Sequence, residues 1–178
     1  MRVAVDIDNV TLEWQYHWAD LYQHQFDVEI PLARLATWDA CLTETVFESM
    51  AEFYEWFNEA DGWRTQPFVP GVQGALRWIG KMPDCRFLFV TARPPSGERA
   101  ALALAGQFQV PVEFRNDLSK RLVRADIWVD DSPEVLADLA AAGKRAIRFV
   151  RPWNEGSPAT YSAGNWPDVM SYIKGEMS

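Results

Sequence analysis

The chain has 178 residues, 48% of them apolar and 13% aromatic, which is enough to bury a core and excludes a disordered chain. Its formal charge of −8 argues against long nucleic acids and anionic membranes as partners, because both demand a basic face. A small phosphorylated substrate arriving with a divalent cation remains compatible, since the cation supplies the positive charge.

Two cysteines, Cys41 and Cys85, are too few for a disulfide framework, and they lack the spacing and His neighbours of a zinc site. The opening Arg2-Val3-Ala4-Val5 reads as a strand rather than a signal peptide. No apolar stretch approaches the roughly 20 residues needed to span a bilayer. The expected location is the cytoplasm.

In chain order, residues 2–6 read as a buried strand and Trp14 to Phe26 as a helix. A second helix is predicted over about Thr43 to Asn58, where Val46, Phe47, Met50, Phe53, Tyr54 and Phe57 recur at helical spacing. Pro70-Gly71 opens a helix that runs through Ile79 and ends at Gly80. Arg86–Val90 is a strand and Gly97 to Gly106 an Ala- and Leu-rich helix. Ile127–Val129 forms a strand that runs into Asp130-Asp131, and Pro133–Ala142 a helix closed by Gly143. A strand over Ala146–Val150 and a helix from Pro167 to Lys174 complete the chain.

Near-continuous apolar strands alternating with helices predict an α/β fold, a parallel sheet covered on both faces. The stretch from Trp14 to Phe68 breaks that rhythm, helix following helix. It is expected to be a small helical cap, residues 14–68, inserted into a core made of 1–13 and 69–178.

Ligands of open parallel sheets sit beyond the carboxyl ends of the strands, so the residues there carry the functional argument. The first strand ends in Asp6-Ile7-Asp8-Asn9 and the second in Thr91-Ala92-Arg93-Pro94. The segment Asn116-Asp117-Leu118-Ser119-Lys120 precedes the third, which itself ends in Asp130-Asp131. Carboxylates from adjacent strands repel one another unless a cation lies between them, and Mg²⁺ suits oxygen ligands of this kind. An aspartate can attack phosphorus directly, and a second acid can serve the leaving oxygen and then water. Asp6 and Asp8 fit these roles, while Thr91 and Lys120 can hold the transferring phosphoryl group.

Asp6-x-Asp8, Thr91, Lys120 and Asp130-Asp131, in that order, resemble the four motifs of the haloacid dehalogenase (HAD) superfamily. Within it, the run from Lys120 through Ala125-Asp126 to Asp130-Asp131-Ser132-Pro133 resembles the 5′(3′)-deoxyribonucleotidases. So do Pro70-Gly71-Val72 and Asn165-Trp166. The resemblance implies a Rossmann-like three-layer core and an aspartyl-phosphate mechanism. Asp6 would be nucleophile and metal ligand, and Asp8 general acid/base with its backbone carbonyl on Mg²⁺. Asp131 would be the further side-chain ligand, Asp130 beside it, and Thr91, Ala92, Arg93 and Lys120 would bind phosphate. Trp14, eight residues after the nucleophile, would contact the base, with Trp38 and Phe57 near the corresponding cap positions. Asn9 stands where the family carries Gly, and Ala92-Arg93 where Ser-Pro usually follows the Thr. The resemblance also admits a homodimer whose partner completes an open site.

Plainer readings exist for each feature. Asp130-Asp131 before Ser132-Pro133 also suit a helix cap, Lys120 could be a surface lysine, and Arg93 a salt-bridge partner. Trp14, Trp38 and Phe57 could be core, as Trp56, Trp63, Trp78 and Trp128 are read to be. His17 and His24, seven apart, would lie about 10 Å apart along a helix and cannot share a metal unaided. The function expected is a phosphomonoesterase for a nucleoside monophosphate. The alternatives are a phosphatase for another small metabolite such as a sugar phosphate, or a HAD-like binding protein without catalysis.

Overall fold

The structure, a computed structural model, describes residues 1–115 and 119–177; Asn116, Asp117 and Leu118 of the segment read above lie outside the described residues. Six parallel strands form one sheet: β1 (Arg2–Val5), β2 (Arg86–Thr91), β3 (Val112–Phe114), β4 (Ile127–Asp130), β5 (Arg145–Phe149) and β6 (Tyr161–Ala163). Their spatial order is β3-β2-β1-β4-β5-β6, so the direction of winding reverses between β1 and β4. A doubly wound sheet opens a crevice at that switch point, beyond the strand ends.

Alternation along each strand sends side chains to two faces. Val3, Val5, Phe87, Phe89, Ile127, Val129 and Ile147 pack under α5 (Val72–Lys81), α6 (Pro95–Phe108) and α8 (Trp166–Met177). Ala4, Leu88, Val90, Trp128 and Ala146 face α7 (Pro133–Ala141) through Val135, Leu136 and Leu139. Both faces are dry, which is why these strands read as unbroken apolar runs.

Strands β3 and β6, absent from the sequence reading, are three-residue edges. β3 is only half-buried throughout, too short and too mixed to show a period. The helix expected over Thr43–Asn58 is a second departure. A single turn, α2 (Ala40–Thr43), is followed by irregular chain, and α3 runs Met50–Glu59. Ser49 sets the boundary: its backbone is extended and its side chain accepts from the Glu52 N–H, a cap that satisfies an otherwise orphaned donor. Val46 is accordingly exposed.

Helix α1 (Trp14–Phe26) and α2, α3 and α4 (Gly62–Thr65) share a separate apolar cluster around Trp18, Phe53, Trp56, Phe57 and Trp63. Each such buried ring contributes about 1.5–3 kcal/mol. Phe53 lies at its centre, edge-on to Trp18 and stacked on Phe57 at 5.9 Å. The chain leaves for this helical segment and returns from it side by side. Leu12 bridges Phe68, the Glu13 N–H donates to the Pro67 carbonyl at 2.8 Å, and the Val69 N–H donates to the Thr11 carbonyl at 3.0 Å.

Candidate active site

Strict strand geometry would send Asp6 and Asp8 to one face of the sheet with Ile7 opposite. The Asp6 N–H extends the ladder to the Val129 carbonyl, but the chain then curls. The Thr11 and Leu12 N–H groups both donate to the Ile7 carbonyl, and Asn9 takes a left-handed backbone with φ 58°. Asn tolerates this conformation better than most residues. Its side-chain oxygen accepts from the Gln15 N–H at 2.8 Å, and Arg151 donates to its carbonyl. The turn leaves Ile7 in the core and Asp6 and Asp8 both on the wall of one cleft.

That cleft lies at the switch point. Asp6, Asp8, Asn9, Trp14, Trp38 and Tyr54 line it, with Trp63, Ala92, Arg93, Pro94, Lys120, Asp131 and Ser132. At its base the buried Lys120 Nζ sits 2.9 Å from Asp6 Oδ1 and 2.8 Å from Asp130 Oδ2. Lys120 lies in a 3₁₀ turn, Lys120–Leu122, whose first carbonyl accepts from the Trp128 indole at 3.1 Å. Asp130 Oδ1 accepts from the Ser132 N–H, and Ser132 caps α7. The helix-cap reading and the site reading therefore hold together, on neighbouring residues. Carboxylate oxygens of Asp6, Asp130 and Asp131 all lie within 4.8 Å of one another.

Electrostatics follow from the crowding. Burial pushes Asp6 up to about 7; Lys120 opposes this, while Asp130 and Asp8 add to it. Burial likewise holds Asp131 well above the ordinary carboxylate range, reinforced by Asp6 and Asp130. Burial disfavours the charged form of Lys120, but Asp130 and Asp6 outweigh it and hold the ammonium above the usual lysine range. One ammonium thus faces three buried carboxylates. Hard oxygen donors with uncompensated negative charge fit a divalent cation such as Mg²⁺, so the donor set passes the chemical test for that ion.

Asp8 is held differently. Arg93 Nε donates to Asp8 Oδ2 at 2.9 Å and Nη2 to Oδ1 at 2.7 Å, and Gln66 Nε2 donates to the same Oδ1 at 3.0 Å. Arg93 Nη2 also donates to Gln66 Oε1. The guanidinium lies over the Trp63 ring, 5.0 Å from its centroid, and its side chain is fully buried. Thr91, at the end of β2, is buried beneath the cleft, where its hydroxyl accepts from the Arg93 N–H at 3.2 Å. Ala92 and Arg93 reach the cleft wall.

Of the aromatics singled out in the sequence, Trp14 and Trp38 line the cleft and Phe57 does not. Phe57 is wholly buried in the helical cluster, edge-on to Trp63. Trp38 is 43% exposed at the mouth. Trp14 is shared, its ring steeply inclined to Phe53 at 5.7 Å while it also lines the cleft. Trp63, read as packing, lines the cleft as well. Trp56 and Trp128 are core, and Trp78 is half-buried under Lys174. His17 meets the Thr65 hydroxyl and His24 pairs with Asp20 on the surface.

Three participants escaped the sequence reading: Tyr54, Gln66 and Trp153. The Trp153 indole N–H donates to Asp131 Oδ2 at 3.0 Å, and its ring meets Trp38 at 6.5 Å. Asn154 donates to the Asp131 carbonyl at 2.8 Å. Both lie just past β5. The strand-end rule, extended from β1, β2 and β4 to that strand, would have pointed to Arg151-Pro152-Trp153.

A family model for 5′ nucleotidase, deoxy (pyrimidine), cytosolic type C proteins matches residues 1–176. The chain belongs to this family. It is a HAD-type phosphohydrolase, and its buried Asp6, Asp130 and Asp131 are compatible with a divalent-metal site. No curated protein matches the chain. Among solved structures it is similar to a HAD-like protein from Agrobacterium tumefaciens, with 15% identity and a TM-score of 0.68 over 99% of each chain. A HAD-like hydrolase from Streptococcus pneumoniae gives 11% and 0.67 over 97% of each chain. A HAD family hydrolase from Deinococcus radiodurans, with bound phosphate and sodium, gives 14% and 0.66 over 98% of this chain and 95% of that one. At such identities the likeness is one of fold. Among the described residues no helix is long and apolar enough to cross a membrane.

Proposed function

We propose that this nucleotidase-family chain is a Mg²⁺-dependent phosphomonoesterase for nucleoside monophosphates, deoxynucleotides in particular, working through an aspartyl phosphate on Asp6. The observation that carries the reading is the buried Asp6–Lys120–Asp130–Asp131 cluster at the foot of a cleft with tryptophans at its mouth. Asp6, Asp131 and Asp130, with the backbone carbonyl of Asp8, would hold Mg²⁺. The ion would offset the charge of the site and of the phosphoryl oxygens.

Lys120 draws Asp6 Oδ1 to one side by an ion pair, which fixes the carboxylate for attack. An Asp6 oxygen bonds to phosphorus as the ester P–O bond breaks, and Asp8 gives its proton to the departing alkoxide. Asp8, now a carboxylate, takes a proton from water. That water bonds to phosphorus, the Asp6–phosphorus bond breaks, and inorganic phosphate and free Asp6 result. The backbone of Ala92 and Arg93, on the cleft wall, would border the phosphoryl group, Thr91 would support that turn from behind through its bond to the Arg93 N–H, and Lys120 would supply positive charge.

The family's name points to a deoxynucleotide, and the cleft supports it. Trp38, Trp14 and Tyr54 line the cleft, and a base stacked on such a ring would gain about 1–3 kcal/mol. Residues 14–68 would serve as the cap that carries these rings. Phe57 would stabilise that cap from within rather than touch the base.

The test is phosphate release from a panel of 5′ and 3′ deoxynucleotides, ribonucleotides and sugar phosphates, with Mg²⁺ and with EDTA. Mg²⁺-dependent release led by deoxynucleotides is expected, and Asp6→Asn should abolish it. Release from sugar phosphates alone would discard the nucleotide reading, and an active Asp6→Asn variant would discard the nucleophile.

A further inference from the structure

Arg93 sits where a phosphate clamp was expected, yet Nε and Nη2 are committed elsewhere. Nε and Nη2 chelate the Asp8 carboxylate, and Nη2 also reaches Gln66 Oε1. Nη1 is buried and has no hydrogen-bond partner among the described residues. The stem is confined too. A Cβ at Gly97 would lie 3.2 Å from Arg93 Cβ and Cδ and from Trp63, so α6 and Trp63 pack tightly on the Arg93 stem.

The three side chains Asp8, Arg93 and Gln66 close a ring. Gln66 donates to Asp8 and accepts from Arg93, while Arg93 donates to both. Asp8 Oδ1 accepts two hydrogen bonds and Oδ2 only one. A carboxylate oxygen has two acceptor positions, so Oδ1 is saturated and Oδ2 keeps one place for a proton. Asp8 is also the member of the ring that reaches solvent, with 23% of its side chain exposed against none for Arg93.

We infer that Arg93 is the positioning residue of Asp8: with Gln66 it pins Oδ1 and leaves Oδ2 as the oxygen that exchanges the proton, and it does not clamp the phosphate. The inference rests on the proposed phosphomonoesterase reading, in which Asp8 is the acid/base. Gln66 and Trp63 close the helical segment just before it rejoins the core, so the acid/base is oriented by the same segment that would cover the substrate.

Leaving groups separate this role from a structural one. An alkyl phosphate such as a 5′-deoxynucleotide needs a proton on its departing oxygen, whereas p-nitrophenyl phosphate departs with little help. Because kcat/KM reports only the steps through ester cleavage, the second, shared step does not blur the contrast. Arg93→Met is expected to lower kcat/KM for the deoxynucleotide by about 10²-fold or more, the scale of general acid catalysis. For p-nitrophenyl phosphate the loss should stay under about tenfold, with KM little changed. Adding Asp8→Asn to Arg93→Met should cost no more than Asp8→Asn alone. Arg93→Lys keeps the charge but loses the paired donors. It should show the same contrast, and it serves if the Met variant fails to fold. Parallel losses on both esters with a raised KM would identify a phosphate clamp and overturn the inference. So would additive losses in the double variant. A wild-type enzyme inactive on both esters would instead overturn the phosphomonoesterase reading, and this inference with it.

Discussion

Trp153 and Asp131 are joined by one hydrogen bond, indole N–H to carboxylate Oδ2 at 3.0 Å, and that bond links the ring beside Trp38 to the buried carboxylate cluster. A donor of this kind fixes which oxygen of a metal-ligating carboxylate faces the ion, and losing such an outer partner typically costs 10–100-fold in metal affinity. Trp153→Phe keeps the ring against Trp38 and removes the donor. It should weaken Mg²⁺ or Mn²⁺ binding by about tenfold or more, read by calorimetric titration. Unchanged affinity would show that Asp131 does not depend on this contact.

Trp38 offers the cleanest test of base recognition, because its 43% exposure makes removal tolerable to the fold. Trp38→Ala should raise KM for deoxynucleotides by roughly 5- to 100-fold, the equivalent of about 1–3 kcal/mol of stacking. KM for p-nitrophenyl phosphate should hardly move. Equal effects on both would reduce Trp38 to a wall of the cleft.

Gly62 lies against the ring of Phe57 so closely that a Cβ would overlap it. Gly62→Ala therefore forces the aromatic cluster of the helical segment to shift, at about 1–3 kcal/mol. Denaturant unfolding should show that loss. Insensitivity would mean the helices yield without cost.

Cys41 is buried, its thiol directed at Met50 sulfur, and burial pushes it up to about 12. The unfolded thiol ionises near 9, so rising pH stabilises the unfolded chain first. Stability from this group is complete below about pH 9 and is lost progressively toward 12. Cys41→Ala should remove that part of the alkaline decline, roughly 1 kcal/mol by pH 10. In the native protein Cys41 should resist alkylation at pH 8, as mass spectrometry would show. Rapid labelling of the folded chain would contradict its burial.

How much of this was legible in the sequence follows the length and symmetry of the signals. Strands β1, β2, β4 and β5, dry on both faces, announced themselves as apolar runs; the ends of β1 and β4 delivered Asp6, Asp8 and Asp131 to one cleft, with Asp130 in the cluster behind them and Lys120 joining from the turn before β4. β3 and β6 had three residues each and no period to read. The helix expected over Thr43–Asn58 failed because apolar spacing at Val46 and Phe47 outweighed the cap signal of Ser49. Phe57 stood near the corresponding cap position of the family, but position along the chain cannot say which side of a helix meets a pocket and which meets a core. Gln66 acts through contacts with Asp8 and Arg93, far away in the chain, and no local pattern encodes those; Trp153 lies within reach of the strand-end rule once that rule extends to β5. Arg93 was visible as a cation at a strand end; that its partner would be Asp8, 85 residues away, was not.

The paired strands of chain at Leu12 and Phe68 have a consequence for how such an enzyme changes over time. Because the outgoing and returning backbones are already hydrogen-bonded to each other, the entropy of closing the excursion depends only weakly on its length, about 0.6 kcal/mol for each doubling. Whole helices can be gained, lost or exchanged between residues 14 and 67 with the register of β1 undisturbed. Selectivity would then drift with the helices of the excursion so long as Trp63 and Gln66, at its returning end, keep their hold on Arg93 and Asp8, and the sheet below would serve as a fixed chassis.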